Sequence, residues 1–144
     1  RWVVCSPDLH LTTKAARAVL PAQLERGMAV AHSANLAAVV HALHCGDVAL
    51  LAAGLRDLIA EPHRARLVPG FRSAQANALA AGALACSLSG AGPAVLAVAT
   101  VHTADAVGAA LAAGFAVAAV ACTVRVCAID QGGARWGAAH VVDQ

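Results

Sequence analysis

Residues 87–100, SLSGAGPAVLAVAT, place a short turn between two apolar segments. The turn contains Gly90, Gly92 and Pro93, and such a cluster between apolar runs is typical of a turn that joins two strands. We therefore predict strands over 84–88 and 95–100. The same glycines would also free backbone amides to form a concave nest for an anion. The motif taken alone favours the plain turn and leaves a phosphate cradle open.

Helical patterns dominate the residues before this turn, and they are mixed with strand patterns elsewhere. An apolar strand is predicted over 2–5 and a closing strand within 117–129. Apolar spacing and helix-ending residues predict helices over the following ranges: 14–20, 22–45, 48–58, 71–81 and 105–113. This order predicts an α+β domain with an antiparallel four-stranded sheet and helices packed on one face.

The composition describes one domain with a large apolar core and few charges. The chain has 144 residues, of which 60% are hydrophobic and 12% charged, with a formal net charge of +2. Its basic residues are scattered, and aromatic residues make up only 3%. Because nucleic-acid binding needs a basic stripe or aromatic stacking platforms, we expect no nucleic-acid partner.

Residues 106–124 carry no charge and are nearly long enough to span a bilayer. Alanine contributes little to membrane insertion, and Gly108 and Gly114 interrupt the stretch. We therefore expect a helix, a turn and a buried strand here, and no membrane partner. The five cysteines form no CxxC motif and are expected to be reduced thiols of a cytoplasmic protein. Since the chain opens with RWVVC in mid-strand, it is expected to be a piece of a longer protein.

Several arginines are candidate ligands for a carboxylate. Thr12 or Thr13 can cap the helix over 14–20, and Arg17 lies on the same helix face as Thr13. Arg64 and Arg66 follow the end of a later helix. Two guanidinium groups from distant segments make a good carboxylate clamp, because each can donate two hydrogen bonds. Solvated surface arginines remain the alternative.

Other polar clusters give weaker indications. His41, His44 and Cys45 have helical spacing, but a zinc site requires a fourth ligand that the neighbouring sequence does not supply. No metal site is therefore predicted. Asp57 and Glu61 lie one helical turn apart, and a solvated helix face explains them equally well.

Four segments together resemble the homoserine kinases of the GHMP kinase superfamily. They are TTKAARAVLPAQ (12–23), LIAEPHRARLVPGF (58–71), GALACSLSGAGPAVLAVA (82–99) and DQGGAR (130–135). The resemblance implies that residues 1–144 form a ferredoxin-like GHMP kinase C-terminal domain. The family's N-terminal ATP-binding domain, with its P-x-x-x-G-L-G-S-S loop, is absent from this sequence.

The resemblance also assigns roles to residues. It places a phosphate-side loop, the family's SGxGP motif, on the following residues: Ser89, Gly90, Ala91, Gly92 and Pro93. This implication favours the phosphate cradle over the plain turn, although Ala94 stands where threonine or serine is common. Thr13, Arg17 and Arg64 match the substrate contacts, and the two arginines would hold the carboxylate of homoserine. Arg66 is then a weaker candidate, and DQGGAR is expected to be structural.

The implied activity is ATP-dependent phosphorylation of the L-homoserine hydroxyl to O-phospho-L-homoserine in threonine biosynthesis. Mg²⁺ would accompany the nucleotide, and the catalytic residues would lie in the absent N-terminal domain. The protein is expected to be a cytoplasmic homodimer, and this chain alone is expected to lack kinase activity. The alternatives are another small-molecule kinase of the superfamily and a non-catalytic amino-acid-binding domain.

Overall fold

A computed structural model describes residues 1–133 and contains one four-stranded antiparallel sheet. The strands are β1 (Trp2–Pro7), β2 (Ala85–Leu88), β3 (Val95–Val98) and β4 (Cys122–Cys127). Their spatial order is β2-β3-β1-β4, so the opening strand lies between the hairpin and the closing strand. The predicted hairpin is confirmed, because Leu88 pairs with Val95 on either side of the glycine turn.

Six α-helices complete the described chain. They are α1 (Thr13–Ala18), α2 (Arg26–Cys45), α3 (Val48–Gly54), α4 (Glu61–Arg64), α5 (Phe71–Ala80) and α6 (Ala104–Ala116). A 3₁₀ turn over Ala65–Leu67 follows α4. Together with the sheet they form the predicted α+β architecture. Of the DQGGAR segment, residues 134 and 135 lie outside the described residues.

The largest departures from the predicted helix ends occur in α2 and α3. The helix predicted over 22–45 begins at Arg26, and its N-cap is Glu25, which makes no capping side-chain hydrogen bond. The helix predicted over 48–58 ends at Gly54. Its continuation fails because Asp57 accepts hydrogen bonds from the amides of Ile59 and Ala60, in a bend that precedes α4.

The main core lies between one face of the sheet and helices α5 and α6. Val3 and Cys5 of β1 are fully buried there, together with Phe71, Leu111 and Phe115 from the helices. The two helices touch at Gly114, where an added Cβ would lie 2.2 Å from the Cα of Ala74. Glycine is required at this position because any side chain would overlap the backbone of α5.

A smaller cluster lies on the opposite face of the sheet, so helices pack on both faces and not on one face as predicted. Ala42 of α2, Leu51 of α3 and Val98 of β3 are buried there, with Trp2 packed against them. The α2–α3 pair covers only part of this face, and most of α2 is exposed. Within residues 1–133, no helix combines the length and apolar character needed to span a membrane.

Candidate functional site

Arg64 connects three segments that are far apart in the sequence. Its Nε donates a hydrogen bond to the carbonyl oxygen of Ala16 in α1 at 3.0 Å. Its Nη1 donates to the carbonyl oxygen of Gly90 in the glycine turn, also at 3.0 Å. Hydrogen bonds from a charged donor are stronger than neutral ones, so Arg64 ties α1 and the glycine turn to the end of α4.

Helix α1 presents two of the predicted substrate residues. Thr12 is its N-cap, because the Thr12 Oγ1 accepts a hydrogen bond from the amide of Ala15 at 3.1 Å. The hydroxyl of Thr13 is therefore not needed for capping, and Thr13 is exposed. Arg17 is also exposed and lies one turn later on the same helix face. Ala16, between them, is buried and accepts the hydrogen bond from Arg64.

The glycine turn is a closed hairpin loop with an outward surface. Ser89 donates from its amide to the carbonyl of Ala94 at 2.8 Å, and Gly92 donates to the carbonyl of Ser89 at 3.1 Å. Gly90 has φ +58° and Gly92 φ +80°, both in the left-handed region that favours glycine. Ser89 and Gly90 are exposed. Among residues 1–133, no acceptor takes up the amides of Gly90 and Ala91, so they are available to an anion.

Through Arg64 the structure connects α1 and the glycine turn, two segments that the sequence singled out separately. Arg64 touches both the helix that carries Thr13 and Arg17 and the loop that contains Gly90. Arg66 is exposed on the 3₁₀ turn, and its side chain makes no hydrogen bond with the described residues. The resulting surface combines guanidinium groups, a hydroxyl and free backbone amides, which are donors suited to carboxylate and phosphate oxygens.

Of the two readings left open for Asp57 and Glu61, the solvated helix face does not hold for Glu61. Glu61 is only 8% exposed, and it accepts hydrogen bonds from Ser87 Oγ at 2.5 Å and from the Leu88 amide at 3.2 Å. Asp57 supports the start of α4, whose N-cap residue is Ala60, because its Oδ2 accepts from the Glu61 amide at 3.1 Å. Sequence reasoning missed Glu61 because an acidic residue beside Pro62 in a first helical turn is usually an exposed, dipole-favoured group.

Among residues 1–133, the predicted group of His41, His44 and Cys45 does not become part of a metal-ligand cluster. His41, His44 and Cys45 are exposed on α2, and the described part of the chain contains no cluster of three metal-ligating side chains. Burial raises the pKa of the Cys5 thiol to about 12, and a hydrogen bond with Cys122 adds to the effect. Burial and the nearby Glu61 raise the pKa of Cys86 to about 12. Both thiols are therefore protonated and unreactive at neutral pH.

A separate cavity of about 280 Å³ lies between helix α2, the end of α3 and the second face of the sheet. Its walls include Leu36, Val39, Leu55, Leu96 and Val98, and its lining is mainly apolar. None of the predicted substrate or loop residues line it. The polar surface around Arg64 is therefore distinct from the apolar cavity.

The comparisons with known proteins agree with this architecture. Residues 35–117, more than half of the chain, match the family model described as GHMP kinases C terminal. The chain belongs to this family. The domain is also similar to the crystal structure of a homoserine kinase from Cytophaga hutchinsonii, with a TM-score of 0.86 and 35% sequence identity. The match covers 90% of this chain and 42% of that kinase, so the GHMP kinase domain described here spans less than half of that protein's length.

Proposed function

We propose that this chain is the C-terminal, substrate-binding half of a homoserine kinase that transfers phosphate from ATP to L-homoserine. The observation that carries the proposal is the pair of hydrogen bonds by which Arg64 joins α1 to the glycine turn. These contacts join α1 to the glycine turn, so a substrate bound by α1 and a phosphate bound by the turn would be neighbours, as a transfer between the two ligands requires. The similarity to a homoserine kinase supports the choice of substrate.

Arg17 and Arg64 would bind the carboxylate of homoserine. Arg64 uses Nε and Nη1 within the protein, while Arg17 is exposed and offers its whole guanidinium group. Thr13 lies on the same face of α1 as Arg17 and adds a hydroxyl for a second polar group of the substrate. Holding the amino acid at its carboxylate end would orient its hydroxyl towards the phosphate donor.

The loop would bind phosphate oxygens through its backbone. The amides of Gly90 and Ala91 and the Ser89 side chain lie at the exposed tip of the hairpin, and their donors suit the charge that develops during transfer. ATP supplies the phosphoryl group. Ala94 lies behind the loop and presents a methyl group, so no hydroxyl contact is proposed there.

The described residues do not fit a dedicated Mg²⁺ site. Magnesium prefers carboxylate oxygens together with substrate phosphates, and residues 1–133 lack a cluster of three ligating side chains. We propose that the metal enters with ATP and is held by a separate ATP-binding domain, which would also carry the catalytic residues. This chain, a single GHMP kinase domain over 1–144, would consequently be inactive without that domain.

The cellular context belongs to the same proposal. We propose a cytoplasmic enzyme of threonine biosynthesis that works as a homodimer. Helix α2 supports a subunit contact, because Leu36, Val40 and Leu43 project from one face and are between 52% and 64% exposed. Sedimentation analysis of the purified chain tests the dimer, and a mass that stays monomeric at high concentration would contradict it.

Calorimetric titration of the chain with L-homoserine tests the substrate assignment. We expect binding that Arg17→Leu weakens by about tenfold or more, because one charge-assisted contact is lost. Arg66→Leu is the matched control and should bind like the unmodified chain. The amino alcohol that lacks the carboxylate should not bind. If Arg17→Leu leaves the affinity unchanged, the domain serves another GHMP substrate, and if the unmodified chain binds no amino acid, the proposal is wrong.

A further inference from the structure

Glu61 is the one buried charged side chain among residues 1–133. Its carboxylate accepts four hydrogen bonds. Oε1 accepts from Gln75 Nε2 at 3.0 Å and from Arg72 Nη1 at 3.4 Å, while Oε2 accepts from Ser87 Oγ and the Leu88 amide. All four partners donate in this arrangement, and a carboxylate offers acceptor oxygens to all of them.

These contacts attach α4 to the free edge of the sheet. Strand β2 is an edge strand, and its Leu88 amide donates outward to Glu61 instead of to β3. Gln75 completes the edge by donating to the Cys86 carbonyl at 2.8 Å. An edge strand with unpaired backbone groups can pair with another chain. Glu61 and Gln75 bond backbone groups of β2 that a neighbouring strand would otherwise pair with.

The glycine turn begins at the residue after Leu88, and this connects Glu61 to Arg64. Helix α4 has only four residues, with Glu61 at its start and Arg64 at its end. Glu61 binds Leu88, and Arg64 binds Gly90 two residues later. Glu61, Arg64, Leu88 and Gly90 therefore close a ring. It consists of one turn of α4, residues 88–90 and the two hydrogen bonds that the charged side chains make.

We propose that Glu61 is a positioning residue that fixes the Arg64 guanidinium relative to the glycine turn. An isolated helical turn is unstable by itself, so α4 needs anchors at both ends to hold a side chain in one place. Glu61 anchors its start to β2, and Arg64 can then reach Ala16 and Gly90 together. The contribution of this ring to catalysis rests on the proposed function, whereas the contacts that form the ring do not depend on it.

Glu61→Gln is the informative substitution, because it keeps the size of the side chain and replaces one acceptor oxygen with an NH₂ donor. If the NH₂ group faces α5, it meets the donors of Gln75 and Arg72, and if it faces β2, it meets the Leu88 amide, which can only donate. Glu25→Gln is the matched control, because Glu25 is exposed and makes no capping side-chain hydrogen bond. Ser87→Ala removes one donor and leaves the carboxylate intact, so it is the milder variant if Glu61→Gln does not fold.

Nitrogen-15 NMR of the complete chain gives a readout that needs no ligand. We expect Glu61→Gln to shift or broaden the Gly90 amide and the Arg64 Nε–H resonances, and Ser87→Ala to move the same two signals by less. Glu25→Gln should leave both unchanged. If Glu61→Gln, or Ser87→Ala should the first not fold, leaves both resonances at their original positions, Glu61 contributes only to stability and the proposal is overturned.

Homoserine titration separates this inference from the proposed function. Where the unmodified chain binds homoserine, Glu61→Gln should raise the Kd by about tenfold, through the misplaced guanidinium. Glu25→Gln should not change it. Failure of the unmodified chain to bind would overturn the substrate assignment alone, since the NMR comparison judges the ring independently.

Discussion

Arg64 donates to the carbonyl of Gly90 at 3.0 Å across 26 residues of sequence, and the same guanidinium holds Ala16 of α1. This side chain is therefore both a part of the fold and a part of the proposed carboxylate clamp. Arg64 can have both roles because a guanidinium has five N–H donors. The contacts with Ala16 and Gly90 use two of them. The same property makes Arg64 sensitive to replacement by another cation.

Arg64→Lys should weaken both stability and homoserine binding, although it keeps the charge. A lysine has a single ammonium group and cannot reproduce the fixed fork that reaches Ala16 and Gly90 together. We expect the free energy of unfolding to fall by about 1–3 kcal/mol, the range for losing a charged hydrogen bond. Chemical denaturation measures this, with Arg66→Lys as the control. An Arg64→Lys protein as stable as the original would show that the bridge contributes nothing.

Gly114→Ala should destabilise the domain strongly. The new methyl group would lie 2.2 Å from the Cα of Ala74, so α5 and α6 would have to separate. Overpacking of this kind costs about 1–3 kcal/mol, and more where backbone must move. Gly27→Ala is the matched control, because the nearest atom there is an exposed side-chain oxygen at 3.3 Å. Thermal unfolding of both variants should show a large loss for the first and none for the second.

Whether a feature of this fold could be predicted depends on whether neighbouring residues alone determine it. The hairpin was predictable because Gly90, Gly92 and Pro93 lie next to one another between two apolar runs. The break in the helix predicted over 48–58 could not be predicted. It depends on the hydrogen bonds that the Asp57 side chain accepts from the amides of Ile59 and Ala60. Pro62, the next proline after that helix, lies in the first turn of α4, where proline is tolerated.

The candidate site also has features that the sequence predicts and features that it does not. Thr13 and Arg17 share a helix face by spacing alone, so their proximity was predictable. The link through Arg64 depends on the tertiary fold, although the family resemblance had already grouped these residues. The burial of Glu61 could not be predicted, because its donors come from β2 and α5, between 11 and 27 residues away. An acidic side chain is buried only when such partners converge on it.

Asp57→Ala should destabilise α4 and, with it, the position of Arg64. Asp57 accepts hydrogen bonds from three successive amides, those of residues 59, 60 and 61. Loss of a side chain that accepts hydrogen bonds from amides at the start of a helix costs about 0.5–2 kcal/mol. Asp105→Ala is the control, because Asp105 lies exposed in the first turn of α6, where no capping side-chain hydrogen bond is formed. Urea denaturation compares the two, and equal losses would show that Asp57 has no special role at the start of α4.

The buried thiols predict how stability depends on alkaline pH. Burial raises the pKa of Cys5 and Cys86 from an ordinary value of 9.0 to about 12 in the folded protein. The unfolded chain therefore releases these protons first as the pH rises. The thiols contribute their full stabilisation below pH 9 and lose it between about pH 9 and 12.

We accordingly expect the urea midpoint to fall as the pH rises above 9, and to fall less steeply in Cys86→Ala. Alkylation with iodoacetamide at pH 8 gives an independent check, because reaction requires an accessible thiolate. Cys45 and Cys127 are exposed and should be modified, whereas Cys5 and Cys86 should stay unmodified until the protein is unfolded. Rapid modification of Cys86 in the folded protein would mean that β2 opens readily, and the edge contacts of Glu61 and Gln75 would then be weaker than the geometry indicates.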